Sequence, residues 1–160
     1  MIFILARAVT YAAIFIGLLL IFLPGQILQR WGMVRPPTIG LIEVLGLAVG
    51  IAGAALAVWC ILTFAVIGKG TPAPFDPPRR LVIAGPYRYV RNPMYIGAGF
   101  ALLGAAIFYR SGALALYTGG FLVITHLFVL LYEEPALTQT FGDAYQQYRT
   151  TVRRWLPRIG

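Results

Sequence analysis

The sequence predicts an all-α fold, a multi-pass membrane helical bundle of about four transmembrane helices followed by a cytoplasmic amphipathic C-terminal helix. Of the 160 residues, 59% are hydrophobic and 11% are charged, whereas about a quarter of the residues in soluble domains are charged. The mean hydropathy is +0.80. So little polar surface cannot cover this apolar mass in water, and the lipid bilayer must therefore act as the main solvent. The length predicts a single integral-membrane domain.

Four stretches with few or no charges supply the predicted spans. The first two are each long enough to cross the roughly 30 Å of bilayer hydrocarbon. The third is short, which predicts a tilted helix or one that begins in the headgroup layer. Only Arg110 separates it from the fourth, so these two spans are expected to form a tight helical hairpin. The predicted spans are residues 8–29, 44–68, 93–109 and 111–132, with a connection at 69–92 and a C-terminal segment at 133–160.

The distribution of Lys and Arg predicts the orientation. If both termini and the connection lie in the cytoplasm, only Arg30, Arg35 and Arg110 lie outside, as the positive-inside rule requires. The net charge of +8 is then explained by topology and anionic headgroups, so membrane lipids rather than nucleic acid are the expected partners. The basic residues placed inside are Arg7, Lys69, Arg79, Arg80, Arg88, Arg91, Arg149, Arg153, Arg154 and Arg158.

Small residues on the second and third spans predict a close helix contact. Rows at three- and four-residue spacing let two backbones approach in lipid, where van der Waals packing drives association. Packing within one chain is favoured; a dimer could use the same rows, but nothing in the sequence indicates one. The rows are Gly46, Gly50, Gly53 and Ala57 on the second span and Gly97, Ala101 and Ala105 on the third.

The two polar segments have different characters. Prolines in the 69–92 connection exclude a regular helix through most of it, and irregular backbone is not tolerated against lipid. It is therefore expected in the cytoplasm or folded over the helix ends. The C-terminal segment carries an apolar stripe that predicts an amphipathic surface helix, broken at Gly142 and stopped by Pro157. Taken alone, an inert interfacial anchor is the simpler interpretation. The stripe consists of Leu137, Phe141, Tyr145, Tyr148, Val152 and Trp155.

Common catalytic and cofactor motifs are missing. The sequence lacks the GxSxG, HExxH and GxxxxGK[ST] patterns. A single cysteine, Cys60, forms neither an intrachain disulfide nor a CxxC metal site. The single histidine, His126, excludes a multi-histidine cluster. Any cofactor site must therefore be built in another way, and no metal is expected.

Two motifs are expected to meet at one end of the third and fourth spans. The run from Gly85 to Gly97, GPYRYVRNPMYIG, leads into the third span, and Glu133-Glu134 ends the fourth. Antiparallel spans joined by a short turn return these motifs to the same membrane face. Pro93 suits the first turn of a helix, with Asn92 as its N-cap. The purely structural alternative is a capped helix, interfacial arginines and aromatics, and two solvated carboxylates.

These motifs, together with the FGDAYQQY run at residues 141–148, resemble the isoprenylcysteine carboxyl methyltransferase and phospholipid methyltransferase group in order and spacing. The resemblance covers residues 81–157. It implies an integral-membrane enzyme that transfers a methyl group from S-adenosylmethionine to a lipophilic acceptor and releases S-adenosylhomocysteine, with the cofactor bound on the cytoplasmic side.

The resemblance also implies cofactor contacts. The helix-start amides and the neighbouring Arg91 suit the carboxylate of the cofactor, and Glu133 suits its ammonium. Tyr87 or Tyr95 can pack on adenine or face the sulfonium. The implied cofactor-binding residues are Leu81, Val82, Tyr87, Arg91, Asn92, Pro93, Met94, Tyr95 and Glu133.

Methyl transfer requires alignment and exclusion of water more than it requires a strong base. Glu133 and Glu134 are the catalytic candidates, since only they and His126 could accept a proton from an amine acceptor. His126 is more simply expected to be satisfied by an interhelical hydrogen bond. Many relatives have His at the position of Asn92. The prenylcysteine enzymes have Arg at the position of Val129, and the absence of that arginine here disfavours a prenylcysteine substrate.

The rival function is a non-catalytic membrane scaffold or a small four-helix transporter. A proton-coupled transporter would need an essential carboxylate near the middle of the bilayer. Glu43, Glu133 and Glu134 all lie at predicted span ends instead, so the transporter is disfavoured.

Overall fold

The computed structural model describes residue 10 and residues 13–32, 38–68 and 80–158, and the described chain is helical without strands. Three helices, of 18, 28 and 30 residues, are long and apolar enough to cross a membrane, and a fourth apolar helix, at Pro93–Phe108, is shorter. The predicted all-helical membrane bundle is confirmed. The helices are α1 at Ala13–Arg30, α2 at Leu41–Gly68, α3 at Pro93–Phe108, α4 at Gly112–Phe141 and α5 at Asp143–Thr151, with a 3₁₀ turn at Gly85–Arg88.

Helix α2 begins at Leu41, before the predicted start at residue 44, because Glu43 caps it. The Gly40 amide donates to Glu43 Oε2 at 2.7 Å, so the carboxylate satisfies an amide at the helix start. The other carboxylate oxygen accepts from Arg110 Nε at 2.6 Å. Glu43 is 1% exposed, and this pair ties the start of α2 to the turn between α3 and α4. The beginning of the first predicted span and residues 69–79 of the connection lie outside the described residues.

Helices α2 and α3 pack antiparallel, with glycine against backbone. A Cβ atom at Gly53 would lie 2.5 Å from the Ala101 amide nitrogen, and one at Gly97 would lie 2.7 Å from the Gly53 carbonyl oxygen. Toward the other end, a Cβ at Gly46 would lie 2.6 Å from the Phe108 nitrogen. The predicted packing within one chain is confirmed, although on α3 a further close approach to α2 is made by Gly104, which the predicted row omitted.

Helix α1 completes the bundle against α3 and α4. Leu19 and Leu20 of α1 pack on a buried cluster of Ala98, Leu102 and Phe121. The Tyr117 hydroxyl of α4 donates to the Leu19 carbonyl at 2.9 Å. This bond provides a partner for a polar group that would otherwise be unpaired in lipid.

Three helices contain π-helical stretches, at Gly17–Phe22, Phe64–Gly68 and Val129–Glu133. The first and last are closely followed by Pro24 and Pro135. Proline lacks an N–H group and clashes with the carbonyl four residues earlier, and a wider turn can absorb that conflict. Helix α4 therefore continues to Phe141 instead of ending at residue 132, and it contains both adjacent glutamates.

The C-terminal segment folds as the end of α4 followed by α5, and the predicted break at Gly142 is confirmed by its φ of 51°. Helix α5 ends at Thr151, before Pro157. Tyr145, Tyr148 and Val152 form a buried cluster onto which Leu81 of the connection packs. The interpretation of the stripe as an inert interfacial anchor is therefore wrong for these residues, because they pack against protein.

Candidate active site

The start of α3 lies beside the part of α4 that carries Glu133 and Glu134. We call this end of the bundle the site end. The Tyr95 hydroxyl donates to Glu133 Oε2 at 3.0 Å. This contact confirms the predicted proximity of the two sequence motifs. It follows from the antiparallel α3–α4 pair and from Pro93, which starts α3 at the predicted residue.

Glu133 has no cationic partner among the described residues. It is partly buried, and the hydrogen bond from Tyr95 is the contact that its carboxylate makes. None of the ion pairs of the described chain includes it. An uncompensated carboxylate away from bulk water costs free energy unless a positive group approaches it. The site end therefore presents a carboxylate suited to a cationic ligand.

Tyr87 forms the apolar wall next to this carboxylate. Gly85, with a φ of 58°, turns the chain so that Tyr87 enters a buried cluster with Cys60 and Val82. Its ring meets Phe64 edge-on, with centroids 5.0 Å apart. Burial, and to a lesser extent the neighbouring Cys60 and Glu133, raises the pKa of Tyr87 well above its usual range. The phenol therefore stays protonated at neutral pH.

Glu134 lies in different electrostatic surroundings from Glu133. Arg154 donates to both of its oxygens, from Nε at 2.7 Å and from Nη2 at 2.9 Å. Arg91 Nη2 lies 3.2 Å from one oxygen and Arg149 Nη2 lies 3.8 Å from the other. Such a bidentate Arg–carboxylate pair is strong and geometrically specific. One of the two adjacent carboxylates is thus neutralised by three guanidinium groups, and the other by none in the described chain.

Arg91 has unused hydrogen-bonding capacity. Its side chain is 9% exposed, and Nε and Nη1 are buried without a hydrogen-bond partner in the described structure. Buried unpaired N–H groups are uncommon and call for a partner such as water or an anion. Arg91 therefore contacts Glu134 through Nη2 and leaves Nε and Nη1 able to bind an anionic group.

Asn92 is the N-cap residue of α3, as predicted, but its side chain makes no capping hydrogen bond. Instead its Nδ2 donates to the Arg154 carbonyl at 3.3 Å. Asn92 reaches this carbonyl because the extended tail after α5 runs beside the connection. Val90 and Arg153 form a parallel bridge, with the Arg91 amide donating to the Arg153 carbonyl at 2.9 Å.

His126 accepts a hydrogen bond, as expected, but from the C-terminal tail rather than from another span. Trp155 Nε1 donates to His126 Nδ1 at 3.0 Å. Because an indole only donates, Nδ1 must act as the acceptor in this bond. The bond ties the tail to α4 and supports a structural role for His126.

The predicted site residues divide into three groups. Val82, Tyr87 and Met94 share one apolar cluster beside Tyr95 and Glu133. Arg91, Asn92 and Glu134 contact the C-terminal tail, and Pro93, between the first two groups in the chain, is fully buried. Leu81 packs on the Tyr145 cluster instead. The residues that sequence reasoning missed are Arg149, Arg154 and Trp155, because no periodicity relates them to the glutamates or to His126.

We expect Glu134→Gln to destabilise the protein by about 2 kcal/mol, because it leaves the buried guanidinium of Arg91 and two partly exposed guanidinium groups, those of Arg149 and Arg154, without their counter-charge. Thermal unfolding in detergent measures the effect. Asp143→Asn, which removes an exposed carboxylate, is the control. Equal unfolding temperatures for the two variants would contradict a structural role for the Glu134 cluster.

Comparison with known families accounts for this architecture. The sequence model of the phospholipid methyltransferase family matches residues 41–144, well over half of the chain. The match spans α2, α3, α4 and both motifs of the site end. No curated protein sequence matches the chain. The family resemblance drawn from the motifs is confirmed, and the chain belongs to the phospholipid methyltransferase family of integral-membrane methyltransferases.

Proposed function

We propose that the protein transfers a methyl group from S-adenosylmethionine to a lipophilic acceptor dissolved in the bilayer. The proposed cofactor site lies at the site end, between the connection, the start of α3 and the end of α4. One observation carries the proposal: Glu133 has no cationic partner in the described chain, whereas its neighbour Glu134 has three. The absent cation is then supplied by the ligand.

The residues present fit the chemical groups of this cofactor. Glu133 would hold the ammonium group, and the free N–H groups of Arg91 would hold the carboxylate. Tyr87, Val82 and Met94 offer an apolar surface for adenine. A sulfonium is attracted to aromatic faces, which Tyr87 and Tyr95 provide. When bound, the cofactor supplies a methyl group activated by its positive sulfur.

The protein's part in the reaction is alignment and exclusion of water. Tyr87 and Tyr95 are buried, and Tyr95 fixes the Glu133 carboxylate by its hydrogen bond. We propose Glu133 as a cofactor-binding residue, because a carboxylate that holds the cofactor's ammonium group is not available to take a proton from an amine acceptor. Glu134 remains a catalytic candidate from the sequence, but its contacts support a positioning role.

We further propose that the site end and both termini face the cytoplasm, within one integral-membrane domain. Exposed Arg88, Arg149, Arg153 and Arg158 surround the site end, and Arg110 lies at the opposite end of α3. The positive-inside rule then orients the bundle. A water-soluble cofactor would enter from the cytoplasm, and the acceptor would arrive through the membrane.

The test is calorimetric titration of the detergent-solubilised protein with S-adenosylmethionine and with S-adenosylhomocysteine. We expect saturable heat with both ligands. Absence of heat at millimolar ligand would overturn the proposal and favour a scaffold. Incubating membranes with methyl-labelled cofactor and separating lipid, protein and small-molecule fractions then identifies the acceptor class, and label in none of them would contradict methyl transfer.

A further inference from the structure

The tail that follows α5 makes polar contacts with three separate parts of the site end. Arg153 pairs with the connection through the Val90 bridge and the Arg91 amide. Arg154 contacts Asn92 and Glu134. Trp155 donates to His126 on α4. These contacts involve both main-chain and side-chain groups, so the position of the tail is specified by several bonds of different kinds.

Arg154 contacts both halves of the proposed cofactor site. Its carbonyl accepts from Asn92, the residue directly before α3, at 3.3 Å. Its guanidinium holds Glu134 by two bonds, at 2.7 and 2.9 Å. Asn92 leads into the first turn of α3, where Tyr95 lies, and Glu134 adjoins Glu133. Tyr95 and Glu133 are themselves hydrogen-bonded at 3.0 Å.

We infer that Arg154 is a positioning residue that fixes the Glu133 carboxylate relative to Tyr95. This inference rests on the proposed function. The planar guanidinium fork restrains the rotation of the Glu134 carboxylate, and through the shared helical turn it restrains the backbone that carries Glu133. A lysine at position 154 would keep the charge but would replace the fork by a single flexible ammonium group.

Arg154→Lys therefore separates geometry from charge. We compare S-adenosylhomocysteine, which carries the amino acid group that Glu133 would bind, with 5′-methylthioadenosine, which lacks it. We expect Arg154→Lys to weaken binding of the first ligand about tenfold and to leave binding of the second within about twofold. Arg153→Lys is the matched control, because Arg153 is the neighbouring, exposed arginine; it should bind both ligands as the unchanged protein does.

A merely structural role would give a different pattern. General loosening of the site would weaken both ligands by the same factor, and that result overturns the inference, as does unchanged binding of both. In a Glu133→Gln background, Arg154→Lys should have little further effect, because the interaction it positions is already lost; full additivity would also overturn it. Failure of the unchanged protein to bind either ligand would instead overturn the proposed function, and the inference with it.

Discussion

Glu133→Gln is expected to weaken binding of S-adenosylhomocysteine about 100-fold, since a charge-assisted hydrogen bond to the ligand ammonium is worth about 1.5–3 kcal/mol. The amide can still accept from the Tyr95 hydroxyl, so the local structure should be kept. The unfolding temperature should stay the same or rise, because the substitution removes a carboxylate that has no cationic partner in the described chain. Calorimetric titration and thermal unfolding measure the two effects.

Loss of affinity without loss of stability distinguishes a ligand-binding residue from a structural one. Glu134→Gln, one position along the same helix, should lose stability, whereas Glu133→Gln should lose affinity. Asp143→Asn controls for removal of any carboxylate, because Asp143 is exposed at the start of α5. If Glu133→Gln bound the ligand with unchanged affinity, Glu133 would have no place in the cofactor site.

Gly53→Leu should prevent assembly of the bundle, with a loss of at least about 3 kcal/mol. Even a Cβ atom at this position would lie 2.5 Å from the Ala101 nitrogen and 2.6 Å from the Gly97 carbonyl oxygen. These are backbone atoms, so the clash cannot be relieved by a side-chain rotation. Helices α2 and α3 would have to separate along their length. Gel-filtration behaviour and thermal unfolding in detergent measure the loss.

The matched control is Gly119→Leu on α4. A Cβ atom at Gly119 would meet no described atom within 4 Å, and the residue is exposed, so a leucine there would face lipid. We expect this variant to elute and unfold as the unchanged protein does. A Gly53→Leu protein with the same unfolding temperature as Gly119→Leu would show that the close α2–α3 contact is not needed for the fold.

Local signals in the sequence predicted much of the fold. Pro93 begins α3 because its fixed φ and missing N–H suit a first helical turn, and Gly142 breaks the C-terminal segment because it adopts a positive φ. Glycine spacing identified the α2–α3 contact. Two helix bounds were wrong because of local features that the charge-free stretches did not reveal: Glu43 extends α2 through a capping bond to Gly40, and a π-helical stretch carries α4 past Pro135.

The site was less predictable than the fold. Hairpin geometry brought Tyr95 and Glu133 together, since it depends only on two antiparallel spans and a short turn. The different surroundings of Glu133 and Glu134 could not be predicted, because Arg154 reaches Glu134 across 20 residues of chain. The break at Gly142 and the extended tail determine how close Arg154 comes to Glu134. Neither feature has a periodic pattern from which the distance between the two side chains could be predicted.

The late position of Arg154 in the chain has a consequence for shortened forms of the protein. A chain that ends before residue 154 would keep all five helices but would lack the bidentate partner of Glu134. Arg91 and Arg149 would then be the counter-ions beside that carboxylate, and Asn92 would lose its carbonyl acceptor. Removal of only the last few residues is therefore expected to loosen the site end while the contacts between the helices are kept.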